Sequence, residues 1–290
     1  MSKPIEVLIL TADIGFGHRS TANAIAAALE ATYGAQAHAT IANPLDDPRV
    51  PAIITDEQED YDRMVREMPE IYRLRYQLSD TAVVGSLLEG ALTVMLYRVI
   101  QEQLDALDPD VVIVTHPMYQ APLRAAIAGR ERNLPWLTVV TDLGAVHRVW
   151  FNPACPRLMV PTQAVYDLAV ENGMEPERIE ISGIPVNPAL TAPGPDQRAR
   201  RAALGWDEEL VTALVVGSKR VKGLAKVLHV LNHSGLALQL VPVAGGDDDM
   251  YHEFVQTEWH GAVHYYNFVD DLPNLMRAAD LIICKAGGLI

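Results

Sequence analysis

Ile5-Glu6-Val7-Leu8-Ile9-Leu10 is an apolar run too short for a buried helix and of the right length for a buried parallel strand. Gly15-Phe16-Gly17-His18-Arg19 follows it, and then the alanine-rich stretch Ser20–Leu29. In that stretch Ala22, Ile25, Ala26 and Leu29 keep i, i+3, i+4, i+7 spacing, so a helix is expected with one face on the sheet. Strand, glycine turn and helix restrict the fold more than any other feature. A parallel strand requires a crossover and further strands beside it. The turn also aims backbone N–H groups and a helix dipole at whatever lies above the strand, and it carries an imidazole, His18.

The same alternation runs along the chain. Strands are expected at Ala37–Ala42, Val111–Val114, Trp136–Val140, Arg157–Val160 and Ile179–Ser182, with helices near Tyr119–Arg130 and over Thr162–Asn172. A proline-rich connector, Ile184–Pro188 and Thr191–Pro195, marks the domain boundary. Beyond it strands are expected at Leu210–Val216, Leu236–Val243, Ala262–Tyr266 and Leu281–Cys284, and helices at Val221–Asn232, Asp249–Trp259 and Asp271–Ala279. The fold class is therefore α/β, as two Rossmann-like, doubly wound parallel-sheet domains. Their bounds are 1–190 and 208–290, with a linker at 191–207. The second shows about four strands where a doubly wound domain has about six, so the domain is expected to be incomplete and the chain truncated.

Composition narrows the function. The net charge of −14 argues against a general nucleic-acid binder. Cys155 and Cys284 lie far apart with no C-x-x-C partner, which fits reduced thiols. None of the nine histidines is read as part of a metal-binding spacing, and no metal site is expected. Val83–Leu104 is the most apolar long stretch, interrupted by Glu89, Arg98 and Glu102. It falls short of a spanning helix and reads either as a core helix or as a membrane-surface helix, the core being favoured. Arg63, Arg66, Arg73 and Arg75 stand among apolar residues just before it.

Ligands of doubly wound sheets bind beyond the carboxyl ends of strands. His18, His116, Asp142 and His147 all fall at or just after such ends, where an imidazole takes a proton from an alcohol and a carboxylate orients it. Each of them alone is equally well a helix cap or a loop hydrogen bond. In the second half, Gly217-Ser218-Lys219-Arg220 follows a strand and suits a diphosphate, or is simply a solvated basic turn. Asn267–Asp271, with Phe268 and Val269, and Lys285-Ala286-Gly287-Gly288 supply two further strand-end turns for a nucleotide.

With these residues in view, the chain resembles the monogalactosyldiacylglycerol synthases and processive diacylglycerol glucosyltransferases. The Gly15–His18 turn, Val140-Thr141-Asp142, His147, Trp150, Val160-Pro161-Thr162 and Gly183-Ile184-Pro185-Val186 carry the first half of the match. Phe268-Val269-Asp270-Asp271-Leu272, Ala279-Asp280 and Cys284-Lys285-Ala286-Gly287-Gly288 are similar to the carboxyl-terminal domain of glycosyltransferase family 28. The resemblance implies a GT-B fold whose first domain takes a lipid acceptor and whose second takes a UDP-sugar as co-substrate. It implies inverting transfer of galactose or glucose to the free hydroxyl of 1,2-diacylglycerol, with no cofactor and no catalytic metal.

On that resemblance His18 and Asp142 are the catalytic candidates, and Gly15, Gly17, His116 and His147 the acceptor-site residues. Gly217, Ser218, Lys219, Arg220, Phe268, Val269, Lys285, Gly287 and Gly288 are the donor-site candidates. The partners implied are a UDP-hexose, diacylglycerol and an anionic lipid surface, with the protein peripheral to the cytosolic face of a membrane and not bound to nucleic acid. Two departures stand out. The second domain opens with fewer glycines than the family has, and a Thr/Ser-x-x-Glu segment expected after Gly288 is absent. The 290-residue chain alone is accordingly expected to have little transferase activity. Three other readings use the same architecture. One is an N-acetylglucosamine transferase acting on a polyprenyl peptidoglycan precursor, another a UDP-N-acetylglucosamine 2-epimerase. The last is a non-catalytic module that binds lipid or nucleotide.

Overall fold

The structure is a computed structural model that describes residues 3–13, 16–50, 82–144, 146–191, 193–219, 221 and 223–284, with side chains not described at 16 and 82–89. The chain divides into two compact units, Met1–Asn187 with Gly288–Ile290, and Pro188–Gly287.

The first unit is built on a six-stranded parallel sheet of β1 (Ile5–Leu10), β2 (Ala37–Ala42), β3 (Val111–Val114), β4 (Trp136–Val139), β5 (Leu158–Val160) and β6 (Ile179–Ile181). Its order is β2-β1-β3-β4-β5-β6. Every strand expected from the apolar runs is present, within a residue or two of its expected ends. Because successive side chains alternate across a strand, each strand serves two layers. Leu8, Leu10, Val112 and Val114 pack on one side with Leu92, Leu96, Ile100 and Leu104 of α2 (Ala82–Leu107). Val7, Ile9 and Ile113 pack on the other with Ala22, Ile25, Ala26 and Leu29 of α1 (Phe16–Tyr33).

Two expectations are refined here. The helix after the first strand begins at Phe16 rather than Ser20, so Gly17, His18 and Arg19 lie in its first turn. The apolar stretch Val83–Leu104 serves the core where its side chains are described: Leu92, Leu96, Val99, Ile100 and Leu104 are buried, although Val94 is 82% exposed. Among the described residues no helix is long and apolar enough to cross a membrane. Two further helices of the first unit are short, α3 (Gln120–Ala128) and α4 (Gln163–Glu171), the latter capped by the Thr162 hydroxyl, which accepts from the Val165 N–H.

The second unit has a four-stranded parallel sheet in the order β10-β7-β8-β9. Its strands are β7 (Val211–Val216), β8 (Leu238–Val243), β9 (Ala262–Val263) and β10 (Leu281–Cys284). Its helices are α5 (Gln197–Leu204), α6 (Leu224–Asn232), α7 (Asp248–Gln256) and α8 (Leu272–Ala278). Leu214 faces Trp206, Leu275 and Ala278, while Val215 faces Leu224, Leu228 and Phe254. The strand expected at Ala262–Tyr266 is shorter, and Tyr266 meets Val243 through a single bridge. The helix expected from Val221 starts at Leu224, because Gly223 takes a left-handed conformation at φ 84° and serves as its N-cap.

Residues 197–204 of the expected linker form α5, and Arg201 ties that helix to the unit. Its guanidinium donates to the carbonyls of Ala278 (2.8 Å), Leu210 (3.0 Å) and Glu208 (3.3 Å) and pairs with Asp280 at 2.6 Å. Burial pushes the Asp280 carboxyl up, but the Thr212 N–H and the Arg201 guanidinium outweigh it and hold it below the ordinary range. A side chain that is 4% exposed thus joins one helix, the entry to β7 and the turn into β10. Removing Arg201 leaves the Ala278 and Leu210 carbonyls without this partner, while the exposed Asp280 keeps the Thr212 N–H at 2.7 Å. Arg201→Ala is expected to destabilise the second unit by about 1–3 kcal/mol. The check is its unfolding midpoint in urea, followed at Trp206 and Trp259 fluorescence.

Candidate functional site

The strand order of the first unit reverses between β1 and β3, one leading to β2 and the other to β4. Beyond the carboxyl ends of those two strands lies the topological switch point, where parallel sheets open a crevice. His18 follows β1, Thr115 and His116 follow β3, and Thr141 and Asp142 follow β4.

The His18 ring is fixed by the neighbouring strand. Its Nδ1 stands 2.9 Å from the Thr115 carbonyl oxygen and 2.9 Å from Thr141 Oγ1. A carbonyl only accepts, so Nδ1 carries the proton and donates it, and Nε2 is left with the lone pair. His116 meets the ring edge to face at 4.4 Å between centroids, and Trp150 lies at 5.9 Å. The indole N–H of Trp150 in turn donates to Asp142 Oδ2 at 2.8 Å. Burial pushes the His18 pKa down, and both the Asp142 charge and the Thr115 carbonyl partly restore it; the net shift is downward. His116 is pushed well down, by burial first and by His18 second. Both imidazoles are therefore neutral at pH 7, and His18 remains partly exposed.

A polar network holds the first turn of α1 in place. Arg19 forks onto Asp13 with two contacts of 2.7 Å, Asn43 donates to Asp13 at 3.3 Å and to Asp46 at 2.8 Å, and the Tyr119 hydroxyl donates to Asn43 at 2.7 Å. The Arg19 guanidinium holds the Asp13 carboxyl down, whereas burial and the nearby Asp13 charge push Asp46 up.

The structure brings His18, His116 and Asp142 together, and His147 starts the turn that carries Trp150. His147 Nδ1 accepts the Val149 N–H at 3.2 Å and so caps a short turn, Arg148–Trp150. His116 caps the following turn in the same manner through the Met118 N–H at 3.4 Å, while its ring packs on His18. Asp142 does not orient His18 by a hydrogen bond: Thr115 and Thr141 do, and Asp142 acts through its charge. Gly17 sits beside His18 in the first helical turn, and Gly15 lies outside the described residues.

In the second unit the order reverses between β7 and β10, and Gly217, Ser218 and Lys219 follow β7 at that point. The Gly217 N–H is spent on the Val243 carbonyl at 2.7 Å, so its contribution is space and not a phosphate contact. A Cβ there would lie 2.6 Å from Met250 Sδ and 2.8 Å from Leu224 Cδ2. Gly245 and Gly246, which sequence reasoning missed, end β8 beside it. Gly245 has φ +65°, and a Cβ on it would run into the Gly217 carbonyl. Gly246 donates to the Asn267 carbonyl at 3.0 Å, which draws the Phe268 turn alongside; Phe268 is 66% exposed and Val269 packs into the core. The Gly-Gly pair just after an apolar strand was the available signal. Arg220, Lys285, Gly287 and Gly288 lie outside the described residues.

Known proteins resemble this chain in sequence and in fold. The family model described as monogalactosyldiacylglycerol (MGDG) synthase matches residues 18–186, from the catalytic candidate His18 to the end of the first unit. The monogalactosyldiacylglycerol synthase of Spinacia oleracea is 29% identical over 98% of this chain and 56% of its own length. The chain spans about half the length of the curated relatives it matches. Among solved structures, Anabaena HepE in complex with UDP-glucose aligns with a TM-score of 0.53 at 15% identity, covering 96% of this chain and 73% of that one. Acinetobacter baumannii MurG aligns at 0.52 and 14%, covering 98% and 73%. These two share the fold, a GT-B arrangement of parallel α/β units.

The low proton affinities of His18 and His116 carry a pH dependence. Unfolded, each imidazole titrates near 6.5, and folded, lower. The unfolded chain therefore binds more protons in that window, and their contribution to stability is complete above about pH 6.5 and is lost as the pH falls below it. Urea midpoints at pH 7.5, 6.5 and 5.5 should fall with pH, and less steeply in His116→Gln. Parallel slopes in the two proteins would contradict this assignment.

Proposed function

From a chain that belongs to the monogalactosyldiacylglycerol synthase family, we propose an inverting UDP-sugar transferase that makes a membrane glycolipid. The acceptor is the free hydroxyl of 1,2-diacylglycerol. The sugar is a hexose, galactose where the chain follows the name of its family. The observation that carries this reading is the His18 ring, pinned through Nδ1 at the switch point with Nε2 left as a proton acceptor.

In the proposed reaction Nε2 of His18 takes the hydroxyl proton as the oxygen bonds to the anomeric carbon from the side opposite UDP. The bond from that carbon to the UDP oxygen breaks, the configuration inverts, and UDP leaves with the electron pair. The proton stays on His18, where the Asp142 charge favours the imidazolium. Asp142 is itself held by the Trp150 indole. The leaving diphosphate is assigned to the turn of Ser218 and Lys219, where Gly217 and Gly245 bring the backbone close, and the uracil to the exposed Phe268. The transfer step as proposed asks for no metal. The arginine-bearing segment 62–76 lies outside the described residues. By its sequence it would hold the protein to an anionic cytosolic lipid surface.

The test is hexose transfer from UDP-galactose and UDP-glucose to diacylglycerol in vesicles containing phosphatidylglycerol, by the natural full-length form of the protein. His18→Ala should lower kcat by about 10²–10⁴ with little change in donor affinity. An unchanged rate would reduce His18 to a structural role, and transfer to a polyprenyl acceptor instead of diacylglycerol would overturn the substrate assignment.

A further inference from the structure

At the opposite edge of the second sheet, away from the nucleotide turns, three exposed histidines cluster: His229 and His233 at the end of α6, and His260 just before β9. His229 and His233 stand four residues apart, one helical turn, a spacing that the reading of the nine histidines passed over. We propose that His233 and His260 chelate a divalent transition ion of the Zn²⁺ class through their Nε2 atoms.

The two Nε2 atoms are 3.1 Å apart. The ring centroids are only 4.6 Å apart and the planes cross at 83°, so the rings do not lie end to end and their Nε2 corners converge. Two imidazole nitrogens at about 2.0–2.1 Å from one ion stand roughly 2.9–3.4 Å apart as the angle at the metal runs from square to tetrahedral. His233 also has the partner that metal-bound histidines have: its Nδ1 lies 2.9 Å from the His229 carbonyl, which takes the proton there and leaves the lone pair on Nε2.

The other ligand is equally well placed. Asn232, a buried residue, accepts the His260 backbone N–H at 2.8 Å and donates to the Glu258 carbonyl at 2.7 Å, so the loop bearing His260 is fastened to the helix bearing His233. Among the described residues no group of three or more His, Cys, Asp or Glu closes round an ion, so the imidazoles act as a pair with water in the remaining positions. His229 stacks on His233 at 4.1 Å between centroids and supplies its carbonyl. Bound metal would clip the end of α6 to the start of β9, stabilising the second unit by mass action.

The test is Zn²⁺ titration of the 290-residue chain by calorimetry in a chelator-free, phosphate-free buffer, with thermal unfolding followed in parallel. One saturable site is expected, with a melting temperature that rises with Zn²⁺. His233→Gln and His260→Gln should each weaken binding at least tenfold and remove the thermal shift, while His229→Gln, which keeps its carbonyl, should bind within about threefold of the parent. A simple N–H···N contact between the two rings would give no saturable binding and would overturn the proposal. So would loss of binding in His229→Gln with retention in His260→Gln, which would assign the ion to the helical pair alone. Neither result depends on the transferase reading, which His18 tests separately.

Discussion

The site of the first unit depends on one hydrogen bond, from His18 Nδ1 to the Thr115 carbonyl at 2.9 Å. It joins two segments that are 97 residues apart in sequence and adjacent only because β1 and β3 are neighbours in the sheet. The carbonyl belongs to the backbone, so it cannot be altered by a side-chain change and cannot donate. It decides which nitrogen of His18 holds the proton, and so which one is left to receive another. Thr141 and His116 confine the ring further, and Asp142 lends charge without contact. The proposed base is neutral because its burial outweighs the carboxylate beside it.

The second unit solves a different problem. Its strand-end turns have to let backbone approach backbone, and this is done by subtraction: Gly217 and Gly245 stand where any side chain would collide with neighbouring atoms. Backbone hydrogen bonds from Gly217 to Val243 and from Gly246 to Asn267 tie these turns to one another. The strands beneath them are fastened at the other end, where Arg201 ties α5 to the entry of β7 and the turn into β10. The unit thus has a buried cation at one end of its sheet and a pair of closely approached glycines at the other.

Much of this was legible in the sequence. Alternating apolar runs and helical periods placed all ten strands of the described residues, because buried parallel strands are short, continuous and β-branched, as Val111–Val114 shows. His18 and Asp142 could be singled out since each follows a strand end. What the sequence did not disclose depends on neighbours distant in the chain. Thr115 and Thr141 are ordinary residues until β3 and β4 bring them to His18. Gly15–Arg19 reads as a turn because of its two glycines, yet helix packing on the sheet draws Phe16–Arg19 into α1. His147 looked like the equal of His116, but only His116 has its ring on His18. Gly245 mattered only once Gly217 was beside it.

The central claim concerns a proton on a known atom, and ¹⁵N-resolved NMR of the histidine rings measures it directly. At pH 7 the His18 ring should be neutral, with a protonated Nδ1 and an Nε2 shift of the unprotonated, lone-pair type. It should stay neutral below about pH 6.5, where a free imidazole is half protonated. A ring protonated on Nε2 at that pH, as the opposite tautomer or as imidazolium, would contradict the account.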